Sequence, residues 1–301
     1  MKSQAPAIPA LQYSVPGKIF VIGEYAVLGG FPAWVAAIEP RFQFRISDAS
    51  AAFHPESPAG LFAPKLRGEF RDPWQGQGGF GGSTAEFAFA ARISGIVDAH
   101  EAHSEYRKLF TAGPAPGKSL PSGADLLAQW EGGVIEWNPT TGKLRDLSKS
   151  FEDVPLLVFS ASHLPSRKTK THEHLKALSL EPPRFAHLLP ILELAESARV
   201  AGDDRLLGQA LSGYAEALAE QGWESEAAGG DRMAFAEMPG VLGVKGCGAM
   251  QSDAMIILVE SISAEDENTQ AVINFAEERG LRLLSRGIPR VDGLRVEEEK
   301  T

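Results

Sequence analysis

The stretch that decides the fold is Gln75-Gly76-Gln77-Gly78-Gly79-Phe80-Gly81-Gly82-Ser83-Thr84-Ala85-Glu86, which runs directly into the apolar segment Phe87-Ala88-Phe89-Ala90-Ala91. A loop this rich in glycine brings backbone N–H groups close to a ligand, because no Cβ obstructs the approach. The pattern after the loop predicts a helix over 83–99, with Ser83 as N-cap and Glu86 completing a capping box. A glycine loop that leads into a helix N-terminus favours an anion, so it indicates a nucleotide triphosphate site. The alternative is a flexible surface loop before a capped helix. No Gly-Lys-Ser/Thr closes the loop, which excludes a Walker A motif.

The composition is that of a globular protein, since 44% of the 301 residues are hydrophobic and 23% are charged. A formal net charge of −10 argues against generic binding to nucleic acid or to an anionic membrane, because both require a basic face. An anionic substrate therefore needs a local basic pocket. The single cysteine, Cys247, excludes a disulfide framework. The chain shows no secretory signal, and no apolar run approaches the ~18 residues of a spanning helix. We expect a soluble cytoplasmic protein.

The two halves of the chain differ in their patterns. In the first half, Ile19–Ile22, Ala33–Ile38 and the alternating residues 42–47 predict strands, Pro16-Gly17 predicts a turn, and residues 51–74 predict a loop. After Phe151, helices alternate with strands. The predicted strands there are Val154–Phe159, Ala254–Val259 and Leu281–Leu284, and the predicted helices are Phe185–Val200, Leu206–Glu220 and Ala264–Arg279. We therefore predict an α+β protein of two domains, residues 1–150 and 151–301.

Three groups of polar residues are candidates for chemistry. Lys18 and Glu24 lie in an apolar region, where their simplest interpretation is a solvated pair of charges. Asp125 begins a short helix that Gly132-Gly133 ends, and a carboxylate in that position often only complements the helix dipole. The segment Ser166-Arg167-Lys168-Thr169-Lys170-Thr171 is the densest basic cluster. It is either an exposed helix start or a site for a substrate carboxylate or phosphate.

Four motifs occur along the chain in a fixed order. They are Pro16-Gly17-Lys18 with Gly23-Glu24-Tyr25-Ala26-Val27-Leu28, then Gly79-Phe80-Gly81-Gly82-Ser83, then Ser122-Gly123-Ala124-Asp125, and last Lys245-Gly246-Cys247-Gly248-Ala249. Together they resemble the ordered motifs of the GHMP kinases, which phosphorylate small metabolites with ATP and magnesium. The segment Glu24-Tyr25-Ala26-Val27 resembles the phosphomevalonate kinase branch more than the mevalonate kinase branch.

The resemblance implies a fold and a site. It implies an N-terminal domain like ribosomal protein S5 and a C-terminal ferredoxin-like α/β domain, with ATP and substrate in the cleft between them. Asp125 matches the aspartate that acts as base or orients the substrate hydroxyl, and Lys18 matches the lysine beside the transferred phosphoryl. The other implied roles are ATP binding by Gly78, Gly79, Gly81, Gly82, Ser83, Thr84, Gly248 and Ala249, magnesium binding by Ser83, and substrate binding by Glu24, Tyr25, Ser122, Gly123, Arg167, Lys168 and Lys170.

The chain departs from the family pattern at three places. Gly82 replaces one serine of the second motif, and Met250-Gln251-Ser252 replaces three glycines after the fourth. The stretch 111–120, where the mevalonate kinase branch carries a metal-binding glutamate, holds no acidic residue. Three functions stay open. The first is a kinase acting on phosphomevalonate, as a monomer or homodimer. The second is a mevalonate kinase or another GHMP small-molecule kinase, and the third is a non-catalytic ligand-binding protein of the same fold.

Overall fold

The computed structural model describes residues 11–51, 53–111, 120–167 and 182–298. The strands are β1 (Leu11–Ile22), β2 (Ala33–Ala51), β3 (Arg67–Arg71), β4 (Val134–Asn138), β5 (Lys143–Asp146), β6 (Leu156–Ser160), β7 (Val241–Cys247), β8 (Ala254–Val259), β9 (Arg282–Arg286) and β10 (Arg295–Glu298). The helices are α1 (Pro58–Phe62), α2 (Gly82–Ile93), α3 (Ala99–Thr111), α4 (Ala124–Glu131), α5 (Ser148–Phe151), α6 (Leu189–Ala201), α7 (Asp204–Glu220), α8 (Glu226–Ala236) and α9 (Glu267–Glu278). None of the helices in the described ranges has the length and apolar character that a membrane span needs.

Two antiparallel sheets organise the molecule. The first has the order β10-β1-β2-β4-β5, with β3 also pairing with β2, and the second has the order β7-β8-β6-β9. Along the chain the second sheet runs β6, helices, β7, β8, α9, β9, which is the ferredoxin-like arrangement. The α+β prediction with two domains is confirmed. The boundary at residue 150 stays a prediction, and β10 carries residues 295–298 back onto the first sheet.

Both faces of the second sheet are buried. In β6 and β8, one set of alternating residues, including Leu157 and Ile257, forms a core with the helices that contain Phe235 and Val272. The other set, including Leu156 and Ile256, joins the large core that extends to the first sheet. Burial on both faces explains why these strands have continuous apolar sequences.

Several boundaries differ from the sequence predictions. The predicted turn at Pro16-Gly17 is wrong, because these residues lie inside β1 and produce only a register shift there. The two strands predicted over 33–47 form one strand, β2, and the predicted loop over 51–74 contains α1 and β3. The helix predicted over 83–99 ends at Ile93. Local patterns missed α1 and β3 and identified the other elements of this group, whose beginnings and ends tertiary pairing set.

Candidate active site

The glycine loop becomes helix α2 at Gly81. This residue is the N-cap, with φ of 89°, and within the described residues no side chain caps the helix. The predicted capping box of Ser83 and Glu86 is therefore wrong, because the helix begins one residue before Ser83 and places Ser83 inside the first turn. First-turn amides have no intrahelical acceptor, so an uncapped start leaves them to an outside anion. In the described part of the chain, the helix start after the glycine loop is uncapped, with glycine rather than serine at the N-cap.

Gln129 of α4 holds this loop in place. Its Nε2 donates hydrogen bonds to Pro16 O over 2.9 Å and to Gly81 O over 3.1 Å, and its Oε1 accepts from Thr84 Oγ1 over 2.6 Å. The side chain is fully buried. A Cβ on Gly81 would lie 2.8 Å from Gln129 Nε2 and 3.1 Å from Lys18 Cγ. Only glycine fits here, because the loop passes so close to both side chains.

Lys18 and Asp125 form an ion pair beside Gly81. Lys18 Nζ lies 2.9 Å from Asp125 Oδ2, and the two side chains are 6% and 29% exposed. The lysine also lies over the Phe20 ring, 4.8 Å from its centroid. The interpretation of Lys18 as a solvated charge is therefore wrong. The site has a partly accessible carboxylate, a buried ammonium group and an uncapped helix start within one small region.

The turn before Asp125 is fixed by His103 of α3. His103 Nε2 donates to Ser122 O over 2.8 Å, and Ser122 Oγ accepts from the Ala124 amide over 3.3 Å. Gly123 is the N-cap of α4 with φ of 71°, and a Cβ there would collide with the His103 ring. Burial lowers the pKa of His103 below its usual value. In this structure Ser122 and Gly123 shape the turn that presents Asp125.

The fourth motif and the residues after it form a second glycine loop, residues 246–252, which leads into Asp253. A Cβ on Gly79 would lie 2.5 Å from Asp253 Oδ2, and a Cβ on Gly248 would overlap the same oxygen. Asp253 is 8% exposed. Burial raises its pKa to about 6, against the opposing effects of Lys18 and of a hydrogen bond from the Ala249 amide. Asp253 thus joins the two glycine loops.

The backbone amides of this second loop donate hydrogen bonds to other groups of the chain. The Ala249 amide donates to the Asp253 carboxylate, and the Met250 amide donates to Tyr25 Oη over 2.9 Å. The amides of Gln251, Ser252 and Asp253 donate to Gly248 O, Ala249 O and Cys247 O. Met250 and Gln251 have φ of 56° and 54°. The loop therefore keeps backbone angles that favour glycine despite its Met-Gln sequence.

Glu24 and Tyr25 follow β1 of the first sheet and contact residues of the second half of the chain. Glu24 Oε1 pairs with Lys245 Nζ, and both residues are buried, so the solvated interpretation of Glu24 is also wrong. Glu24 Oε2 is buried and has no hydrogen-bond partner among the described residues. Burial raises the pKa of Glu24. Tyr25 stacks on Trp223 with 4.7 Å between ring centroids. In this conformation neither residue presents its polar atoms on an open surface.

Arg167 is held in a buried ion pair in this structure. It is 1% exposed, and its guanidinium pairs with Asp231, which also accepts from Arg279 Nε over 2.5 Å. The buried pair gives Arg167 a structural role and corrects its interpretation as an exposed residue of the basic cluster. Lys168 and Lys170 lie outside the described residues.

The donors present fit a magnesium ion that is held chiefly by phosphates. Ser83 is exposed at the start of α2, and the Asp125 carboxylate is partly accessible. In the described ranges no group of three or more His, Cys, Asp or Glu residues could hold a metal by itself. Magnesium commonly binds through one or two protein ligands, substrate phosphates and water, so this donor set is compatible with it.

Sequence reasoning missed three residues of this region, namely Gln129, His103 and Asp253. Gln129 had a usable signal, since it is a polar residue in an apolar helix and lies one turn after Asp125. Asp253 ends the second glycine loop, which marks its position but not its contacts. His103 had no local signal, because its role depends on a neighbouring helix.

The protein is a two-domain α+β molecule in which a glycine loop, a lysine and an aspartate lie together. No protein-family model matches the sequence, and no curated protein is significantly similar to it. The structure is similar to a Lin0012 protein from Listeria innocua, with a TM-score of 0.72, 17% identity and coverage of 96% of this chain and 99% of that one.

Two kinases have similar structures. The phosphomevalonate kinase of Streptococcus pneumoniae aligns with a TM-score of 0.70 and 13% identity, over 94% of this chain and all of that one (100%). The mevalonate kinase of Methanococcus jannaschii aligns with a TM-score of 0.65 and 14% identity, over 93% of this chain and 98% of that one. The chain therefore has the same fold as these kinases over nearly its whole length.

Proposed function

We propose that this protein is an ATP-dependent small-molecule kinase with phosphomevalonate as its acceptor, acting in isoprenoid synthesis through the mevalonate pathway. The observation that carries the proposal is the Lys18–Asp125 ion pair, 2.9 Å long, beside Gly81 at the uncapped start of α2. Phosphoryl transfer needs positioned groups and dispersed positive charge more than covalent chemistry. The pair and the helix start supply both.

Each residue has a distinct task in this proposal. The Asp125 carboxylate orients the attacking phosphate oxygen of the acceptor and takes its proton where that oxygen is protonated, as the new P–O–P bond forms and the bond from the transferred phosphoryl to ADP breaks. Lys18 holds Asp125 in place and stabilises the charge that develops on the transferred phosphoryl oxygens. Gln129 and His103 are positioning residues, because they fix the Gly81 and Gly123 turns and do not contact the reactants.

The nucleotide lies, in this proposal, along the first glycine loop. Gly78, Gly79, Gly81 and Gly82 let its phosphates approach the backbone, and the amides of Ser83 and Thr84 face them from the helix start. Ser83 would hold magnesium, which supplies charge neutralisation on the phosphate oxygens. Gly248 and Ala249 border the same region from the second loop.

The choice of phosphomevalonate rests on two supports. The first is the similarity in fold to the pneumococcal phosphomevalonate kinase, which has also been solved with phosphomevalonate and AMPPNP. The second is the Glu24-Tyr25-Ala26-Val27 motif. Ser122 and Gly123 border the acceptor near Asp125, and Glu24 and Tyr25 support it from the rear of the cleft. Lys168 and Lys170 remain our candidates for binding its anionic groups.

One experiment separates this function from its alternatives. ADP release is measured with mevalonate, phosphomevalonate, homoserine and galactose as acceptors. We expect the highest kcat/KM with phosphomevalonate. A preference for another acceptor supports a different GHMP kinase activity. Nucleotide binding without turnover on the whole panel supports the non-catalytic alternative, which the internally bonded second loop favours.

A further inference from the structure

The carboxylate of Asp253 lies between two glycine loops. Gly79 and Gly248 both approach it so closely that neither tolerates a Cβ. The Ala249 amide donates a hydrogen bond to it, and Lys18 attracts it electrostatically. Glycine backbone, a loop amide and a lysine are the groups that proteins use to bind phosphate. Here these groups contact a side chain of the protein itself, the Asp253 carboxylate.

The charged and titratable neighbours of Asp253 come from several elements. Lys18 faces it from β1, and Asp125 from α4 adds like charge. Asp253 in turn acts on Tyr25, before the helical turn 26–29, and on Cys247, at the end of β7. Lys18 is therefore shared between two carboxylates, and its single positive charge does not neutralise both.

We propose that Asp253 occupies part of an anion site between the two glycine loops, and that a phosphate group binds beside it only when Asp253 has taken up a proton. This inference rests on the proposed function, because it assigns the anion to a nucleotide phosphate. An ionised Asp253 repels that phosphate at short range, whereas a protonated one donates a hydrogen bond to it. The pKa of the free carboxyl, about 6, already favours the proton more than that of an ordinary aspartate does.

Asp253 therefore determines specificity as well as pH dependence. A second phosphate or carboxylate on the ligand meets Lys18 only after Asp253 is neutral. Ligands with dense negative charge gain most from this neutralisation. A neutral ligand that makes the same backbone contacts binds without proton uptake.

The test is calorimetric titration of the full chain with magnesium-free ADP between pH 5.5 and pH 8, in two buffers of different ionisation enthalpy. We expect proton uptake beyond that due to ADP itself, and affinity that falls by about tenfold per pH unit above the pKa of Asp253. The proton count on the wild type needs no variant. In Asp253→Asn the extra proton uptake disappears, and ADP binds at least tenfold tighter than in the wild type at pH 8.

Asp204→Asn is the matched control, since it removes a carboxyl whose pKa burial also raises, beside Leu242 at the far end of β7. This variant should follow the wild type. Wild-type binding without extra proton uptake, or equal ADP affinity in Asp253→Asn and wild type, overturns the inference alone. Weaker binding of magnesium-ADP in Asp253→Asn makes Asp253 a metal ligand and also overturns it. If no protein binds ADP at any pH, the inference and the proposed function fail together.

Discussion

The Met250 amide donates a hydrogen bond to the Tyr25 hydroxyl over 2.9 Å, and this bond ties the second glycine loop to the first-sheet side of the molecule. Both residues have positive φ, 64° for Tyr25 and 56° for Met250. Such angles are costly for residues with a Cβ, so surrounding contacts must hold them. The Tyr25–Trp223 stack and this hydrogen bond are two such contacts.

Tyr25→Phe tests that connection. The variant keeps the stacked ring but removes the acceptor of the Met250 amide. We expect the free energy of unfolding to fall by about 1–3 kcal/mol, the usual cost of an unpaired, partly buried polar group. Urea denaturation measures it. An unchanged unfolding free energy would show that water replaces the hydroxyl at no cost.

Gly79→Ala tests the contact between the glycine loop and Asp253. The new methyl group meets the Asp253 side chain, so overpacking adds about 1–3 kcal/mol to the cost of an alanine at positive φ. Gly76→Ala is the matched control, because Gly76 also has positive φ but has open space around its Cβ position. Thermal denaturation should place Gly79→Ala clearly below Gly76→Ala. Equal melting temperatures would contradict the close approach.

Gln129→Met tests the anchor of the α2 start. Methionine fills similar space but donates no hydrogen bond to the carbonyl groups of Pro16 and Gly81. We expect a loss of about 1–3 kcal/mol from the lost hydrogen bond to the Pro16 carbonyl group, because Gly81 O still accepts from the Ala85 amide and from Thr84 Oγ1. ADP binding should also weaken as the loop loosens. Exposed Gln221 provides the control variant Gln221→Met, which should behave like the wild type in both measurements.

Asp125→Asn tests the proposed chemistry. The change keeps the shape of the side chain but removes its charge and basicity. Turnover with phosphomevalonate should fall by about a hundredfold or more, the scale of losing a general base, while ADP binding survives. Steady-state kinetics and calorimetry measure the two effects separately. Turnover within a few-fold of the wild type would reduce Asp125 to a helix-start carboxylate.

Asp253 should make stability depend on pH in a definite direction. Its folded pKa of about 6 lies above the ordinary aspartate value of 3.8, so the folded state binds the proton more tightly. The stability contributed by this proton is present below the unfolded pKa and is lost as pH rises to about 6. We expect Asp253→Asn to be more stable than the wild type at pH 7.5, by up to about 3 kcal/mol. Urea denaturation at pH 5 should show a smaller difference, and a difference that does not depend on pH would contradict this titration.

The sequence by itself determined the elements that local patterns encode. The glycine loop followed by an apolar segment specified the helix α2, and continuous apolar runs specified the buried strands β6 and β8. The short helix with Asp125 in its first turn was likewise predicted to its glycine end. Ordered motifs then indicated the fold. These features depend on residues close together in the chain, whose periodicity and backbone preferences act locally.

Only the tertiary structure decided which polar groups are available for chemistry. Lys18 and Glu24 are both charged residues in an apolar stretch of sequence. In the structure, Lys18 pairs with Asp125 at the glycine loop, whereas Glu24 is buried against Lys245. The N-cap of α2 is Gly81 and not the predicted Ser83, because Gln129 from another helix donates a hydrogen bond to the Gly81 carbonyl group. Asp253 lies between two loops that are about 170 residues apart in sequence. Burial and charge at such positions depend on distant elements that pack together, and no local pattern contains that information.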